Sequence, residues 1–224
     1  MKDKLTRELM AMRVAKEFAD GDVVNLGIGI PTLISSYIPE DITVTFHTEN
    51  GALGFGPIVA ADEVAEKADI DLINAGGQYV TPLPGMCFFH HADSFGIIRG
   101  GHIDISVLGA FQVSENGDLA NWLFPARGVG NIGGGMDLAV GVKKLIIVME
   151  HTTKKGEPRL LKRCTYPLTA KECVKLIVTD LGVIEVTTDG FLLKEITPGW
   201  TPGEVQALTD ARLLAAPDLK EVEF

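Results

Sequence analysis

Short apolar, β-prone runs alternate along this chain with stretches of helical spacing, and no other feature restricts the fold as strongly. Residues 23–28 (VVNLGI), 43–47 (TVTFH) and 71–75 (DLINA) read as three strands, and residues 103–108 and 145–149 as further core strands. Before them, Leu9, Met10, Val14 and Phe18 recur at helical spacing and Gly21 follows, which predicts an opening helix ending near Asp20. Pro31 is placed as the first residue of a short helix, and a helical segment starts at Met136. Residues 171–178 read as a later helix. Residues 183–186 and 191–196 flank Asp189-Gly190 as a hairpin. This alternation implies an α/β fold on an open, largely parallel sheet flanked by helices. No internal repeat or low-complexity linker interrupts the 224 residues, so a single domain, 1–224, is expected.

In such sheets the functional loops gather at the carboxyl ends of the strands. Three loops qualify here: Gly27 to Pro31, Thr48 to Gly51, and Gly76-Gly77. The balance of charge narrows what they can serve. Twenty Lys and Arg stand against thirty Asp and Glu, a net charge of −10, which argues against nucleic acid as a partner but not against a small anion in a locally positive cleft. The apolar content of 46% excludes a disordered chain. No run of about 18 apolar residues is present to span a membrane, and the charged N-terminus has no signal-peptide pattern. Cys87, Cys164 and Cys173 are odd in number and widely spaced, as expected of reduced thiols in a cytoplasmic protein.

Few residues carry chemistry by pattern alone. Glu49 ends a hydrophobic strand and enters an Asn50-Gly51 turn, and by pattern alone it reads as a solvated turn carboxylate rather than a reacting group. Gly133-Gly134-Gly135 precedes a helix, where free N–H groups can hold an anion or a developing oxyanion; the alternative is a flexible loop with Asp137 as a cap. No Lys-Ser or Lys-Thr follows to make a phosphate loop, and Gly27-Ile28-Gly29 lacks the third glycine of a dinucleotide fingerprint. His90-His91, taken as strand residues, point to opposite faces, so no metal site is expected. Arg99-Gly100-Gly101-His102 can bind an anion or form a turn with a solvated arginine, and Trp122 reads as core.

Taken together, these segments resemble the B half of family I coenzyme A transferases. The resemblance runs through Asn25 to Thr32, Thr48-Glu49-Asn50-Gly51 with Gly54 to Pro57, Asn74-Ala75-Gly76, Ile98 to His102, Leu119 to Trp122, Gly133 to Leu138, and Cys164 to Thr169. It spans nearly the whole chain. Thr48 stands where serine is usual, Gly77 and Ala126-Arg127 where Lys and Gly-Lys are common, and Asn131-Ile132 and Gly135 also depart. These changes bear on CoA contacts and acyl preference and leave Glu49 in place.

The resemblance implies an α/β sheet like that of sugar-phosphate isomerases, with Glu49 as nucleophile. It implies an oxyanion held by Gly134 and Gly135, and an acyl and CoA channel bordered by Asn25, Gly29, Asn50, Gly76, Gly77 and Gly133. Coenzyme A is then a substrate, with no permanently bound cofactor and no metal. The complete enzyme requires an A subunit, in an αβ or α2β2 assembly. The segment Phe88 to Phe95 looks most like transferases acting on 3-oxoadipate, with succinyl-CoA as donor; acetoacetate with acetyl-CoA, or a butyrate or acetate type, are the nearby alternatives. Thioester hydrolysis and a non-catalytic binding role are the competing classes.

Overall fold

The computed structural model describes residues 2–224. Its first half runs α1 (Arg7–Ala15), β1 (Val23–Leu26), α2 (Ile30–Leu33), β2 (Thr45–Thr48), β3 (Ala52–Ile58), α3 (Val64–Lys67), β4 (Val80–Phe88), α4 (His91–Arg99) and β5 (Ile105–Leu108). The second half runs β6 (Gln112–Ser114), β7 (Leu119–Ala120), α5 (Gly135–Gly141), β8 (Lys144–Met149), β9 (Leu160–Leu161), β10 (Val174–Thr179), β11 (Gly182–Thr187), β12 (Gly190–Ile196), α6 (Pro202–Ala207) and β13 (Leu213–Glu221).

Ten strands form one sheet in the order β13-β12-β11-β10-β8-β5-β1-β2-β3-β4. Its centre, β10-β8-β5-β1-β2, is parallel throughout; β3 and β4 extend one side antiparallel, and β11 and β12 the other. Central strands are covered on both faces, so their sequences are nearly continuous apolar runs. Along β8, Leu145, Ile147 and Met149 pack with Ile98 of α4 and Leu138 of α5, while Ile146 and Val148 pack with Met10 and Val14 of α1. The twofold alternation of a strand divides one run between two cores. A buried fork fastens α1 to the sheet: Arg13 Nε and Nη2 donate to Glu195 Oε2 and Oε1 at 2.7 and 2.9 Å.

The structure corrects four local expectations. α1 stops at Ala15, and the apolar pattern continues through tighter turns (Glu17 N–H to Val14 O, Phe18 N–H to Ala15 O) that still bury Phe18. Residues 71–75 form only a single bridge, Ile73 with Tyr79, because the Asn74 side chain accepts the N–H groups of Gly76 and Gln78 and curls the chain into a turn. Residues 171–178 are not a helix. Glu172 has φ 52°, which breaks helical continuity, and Val174 onward pairs with β8 as β10. His90 and His91 lie on no strand: His90 is the N-cap of α4, its Nδ1 accepting the Ala92 N–H at 3.1 Å, and His91 is the first helical residue. The hairpin of β11 and β12 forms at Asp189-Gly190 as expected.

Candidate active site

Glu49 occupies the turn between β2 and β3, and the turn is tied down on every side. Gly51 has φ 115°, and a Cβ there would overlap the Phe89 carbonyl oxygen, so only glycine fits. Thr48 Oγ1 accepts the Ala75 N–H at 2.8 Å, and Asn50 Nδ2 donates to the Ile73 carbonyl at 2.9 Å. The loop 73–77 is therefore a brace for the Glu49 turn. From α4, His91 Nδ1 lies 2.9 Å from the Glu49 carbonyl oxygen; since a carbonyl only accepts, the imidazole proton sits on Nδ1.

Beneath the turn runs a buried polar relay. Asn25 Nδ2, on β1, donates to His47 Nδ1 at 3.1 Å and to the His47 carbonyl at 3.2 Å. The second ring nitrogen, Nε2, then carries the proton and faces Ser94 Oγ at 2.9 Å, and the Ser94 hydroxyl donates to the Thr48 carbonyl at 3.3 Å. His47 is fully buried, and burial pushes its pKa down to about 4, so the ring is neutral at working pH. The relay joins β1, β2 and α4 at the peptide just before Glu49.

Beside the turn lies a cleft of about 600 Å³ lined by Glu49, Asn25, Gly133, Gly134 and Gly135, and by Asn121 and Arg159. Gly134 packs so closely on Glu49 that a Cβ would overlap Oε2 and come within 3.0 Å of Phe95 Cζ. The N–H groups of the three glycines differ. Gly133 donates to Asn131 Oδ1 at 3.0 Å and Gly135 to the Ile132 carbonyl at 2.9 Å, whereas Gly134 bonds no acceptor among the described residues. The half-buried Glu49 carboxyl has its pKa raised, chiefly by desolvation; Asp137 adds to the rise and His91 opposes it. Asp137 is held by Arg99 Nε at 2.6 Å, which gives that arginine a partner within the protein.

Of the residues expected at the site, Gly29, Asn50, Gly76 and Gly77 do not line this cleft; Asn50 and the 73–77 loop act from behind the turn. Gly27, Ile28, Asn121, Asn131 and Arg159 do line it and were not singled out individually. Asn121 had a signal in its matched segment; it is locked by a bond to the Gly109 carbonyl and by Thr169 Oγ1 at 2.6 Å. His47 and Ser94 gave no signal, because their partners come from three separate elements. Among the described residues no group of three or more His, Cys, Asp or Glu side chains is placed to hold a metal ion, and no helix is long and apolar enough to cross a membrane.

The model of the coenzyme A transferase family matches residues 7–208. This chain belongs to that family. It is 52% identical to the B subunit of 3-oxoadipate CoA-transferase from Acinetobacter baylyi, over 95% of this chain and 97% of that protein. It is 47% identical to the beta chain of acetate CoA-transferase from Escherichia coli, over 95% of each. A solved acyl-CoA transferase apoenzyme from Escherichia coli O157:H7 superimposes with a TM-score of 0.76 at 19% identity, covering 98% of this chain and 43% of that one. At that identity the likeness speaks for the fold: the family's α/β architecture with a mostly parallel central sheet.

Proposed function

We propose that this chain is the B subunit of a coenzyme A transferase, working with a separate A subunit, and that Glu49 is its nucleophile. One observation carries the reading: a half-buried carboxylate lines a cleft together with Gly134, which packs against it and whose N–H bonds no acceptor among the described residues. A carboxylate needs no general base. Glu49 attacks the thioester carbonyl of an acyl-CoA, and the tetrahedral intermediate expels CoA thiolate to leave an acyl-glutamyl anhydride. The thiolate attacks the glutamyl carbonyl, releasing the first acid and leaving a glutamyl-CoA thioester. The acceptor acid reverses the sequence and departs as its CoA ester. Each tetrahedral oxyanion needs a donor. Gly134 N–H is the available one here, since Gly135 is already bonded, and such a donor is worth about 3 kcal/mol.

Closure by the A subunit, in an αβ or α2β2 assembly, would exclude the water that hydrolyses both intermediates. Both bacterial relatives are named as one half of a two-part enzyme, B in the first case and beta in the second, which supports such a partner. We assign a short 3-oxo acid as acceptor, 3-oxoadipate on the strength of the 52% identical relative or else acetoacetate, with succinyl-CoA or acetyl-CoA as donor, as the family resemblance implies. The acetate-type relative at 47% identity favours acetate as the second reading. Burial keeps Cys164 and Cys173 as thiols, with pKa values pushed up to about 12 and 11.

The test is borohydride treatment of the complex with its A subunit after incubation with acyl-CoA, followed by mass analysis of the Glu49 peptide. Reduction of that side chain is expected; an unmodified peptide would falsify the covalent role. CoA release that ignores the acceptor acid would favour a hydrolase instead.

A further inference from the structure

We propose that Arg159 anchors the far carboxylate of a dicarboxylic acid substrate, an inference that rests on the transferase reading of Glu49. Among the described residues only two with charged side chains line the cleft, Glu49 and Arg159. The remaining walls are backbone, amides and apolar groups such as Ile28, Phe111 and Leu138. On a chain of net charge −10, Arg159 is the one cationic side chain among the described residues that line this cleft.

Its setting is that of a built anchor. Its main chain is fixed on both sides, the N–H donating to the His151 carbonyl at 3.1 Å and the carbonyl accepting the Val113 N–H at 2.9 Å. The side chain is only 20% exposed, yet its guanidinium makes no hydrogen bond among the described residues. The nearest carboxylate is Glu150 Oε2, 3.5 Å from Nη2, and the other oxygen of Glu150 already takes a 3.2 Å bond from Arg7. The guanidinium is thus held by one long ion pair and keeps donors to spare, in the fork that fits a carboxylate with two parallel bonds.

The chemistry decides which carboxylate. The carboxyl that accepts CoA is converted to an anhydride and then a thioester, so it loses its charge at Glu49. A monocarboxylic acid has nothing left to offer Arg159, whereas a dicarboxylic acid keeps its second carboxylate throughout. The anchor therefore selects dicarboxylic over monocarboxylic 3-oxo acids. The anionic phosphates of CoA are the other source of negative charge, and the experiment separates the two.

Arg159→Gln and Arg159→Lys would be prepared in the complex with the A subunit. The kcat/KM would be measured for 3-oxoadipate and for acetoacetate, with the KM for acetyl-CoA, whose acyl group carries no carboxylate, measured alongside. Arg159→Gln should lower kcat/KM for the dicarboxylic acid about ten- to a hundredfold, mainly through KM. Acetoacetate should stay within about threefold, and Arg159→Lys should fall between. Equal losses on both acids, no loss on either, or a raised KM for the acyl-CoA with unchanged acid preference overturns the anchor. A wild-type complex that transfers CoA to neither acid overturns the 3-oxo acid assignment and the anchor with it, and one that transfers CoA to no acid, acetate included, overturns the transferase reading itself.

Discussion

His47 Nε2 meets Ser94 Oγ at 2.9 Å where both side chains are fully buried, and the Ser94 hydroxyl passes the bond to the Thr48 carbonyl. The tautomer of His47 is thereby fixed from both sides, since Asn25 donates to Nδ1. Ser94→Ala leaves the Nε2 proton without an acceptor, and a buried unsatisfied donor costs about 1–3 kcal/mol. It also frees the peptide that precedes Glu49. Denaturant unfolding should register the loss. The assembled complex should lose kcat with little change in the KM for acyl-CoA, since the relay sits below the turn and not in the cleft. Unchanged stability would show that the relay is not formed in solution.

Glu49→Gln should abolish turnover and raise the stability of the isolated chain. The folded carboxyl has a raised pKa, chiefly from desolvation, so the folded state holds its proton more tightly than the unfolded state does. The stability linked to that proton is fully present below the unfolded value, near 4.5, and is lost as pH rises through the folded pKa. At pH 7 the charged form burdens the fold and an uncharged amide does not. Thermal denaturation should place the variant above the wild type at pH 7 and close to it near pH 4. A variant less stable at pH 7 would contradict the desolvation.

The parts of this molecule that were legible in the sequence are those written locally. Residues 145–149 announced a buried strand because five apolar residues in a row suit a two-sided core, and Asp189-Gly190 announced its hairpin through turn chemistry. Residues 171–178 misled because a short apolar run fits either periodicity, and the φ of Glu172 that rules out a helix is set by the fold. β3 and β4 were concealed by Gly54, Gly56, Pro82, Pro84 and Gly85, which an antiparallel margin tolerates and a central strand does not. At the site, Glu49 stood out only through its matched neighbours. Asn25, His47 and Ser94 come together from β1, β2 and α4, so no spacing along the chain could announce them.

Acid should unfold the chain through two buried histidines. Burial holds both His47 and His151 at about 4 against an ordinary 6.5; His151 sits between Thr179 Oγ1 and Thr209 Oγ1 at 3.0 and 2.9 Å. Between pH 6.5 and 4 the unfolded state binds more protons, so their contribution is whole above 6.5 and declines as pH falls, by up to about 1.4 kcal/mol per pH unit for each ring. Urea midpoints should drop across that window. His151→Gln should start lower but fall less steeply, and an unchanged slope would mean that the ring ionises freely in the folded chain.

Gly134→Ala tests the cleft by volume alone. Gly134 has φ −84° and ψ 7°, an ordinary conformation for alanine, so no backbone strain accompanies the change. What objects is space: the new methyl would overlap Glu49 Oε2 and crowd Phe95 Cζ at 3.0 Å. Phe95 is packed against the core, and the Glu49 main chain is held by His91, so the carboxylate is the group that must move. Displacing a reacting group by about 1 Å can cost a hundredfold in rate. The same methyl also shades the Gly134 N–H from a developing oxyanion. The variant complex should therefore keep nearly wild-type thermal stability and lose about two orders of magnitude in kcat, with less borohydride-trapped Glu49. Near-normal kcat would mean that Glu49 reacts from another rotamer, away from Gly134, and that the oxyanion donor lies elsewhere.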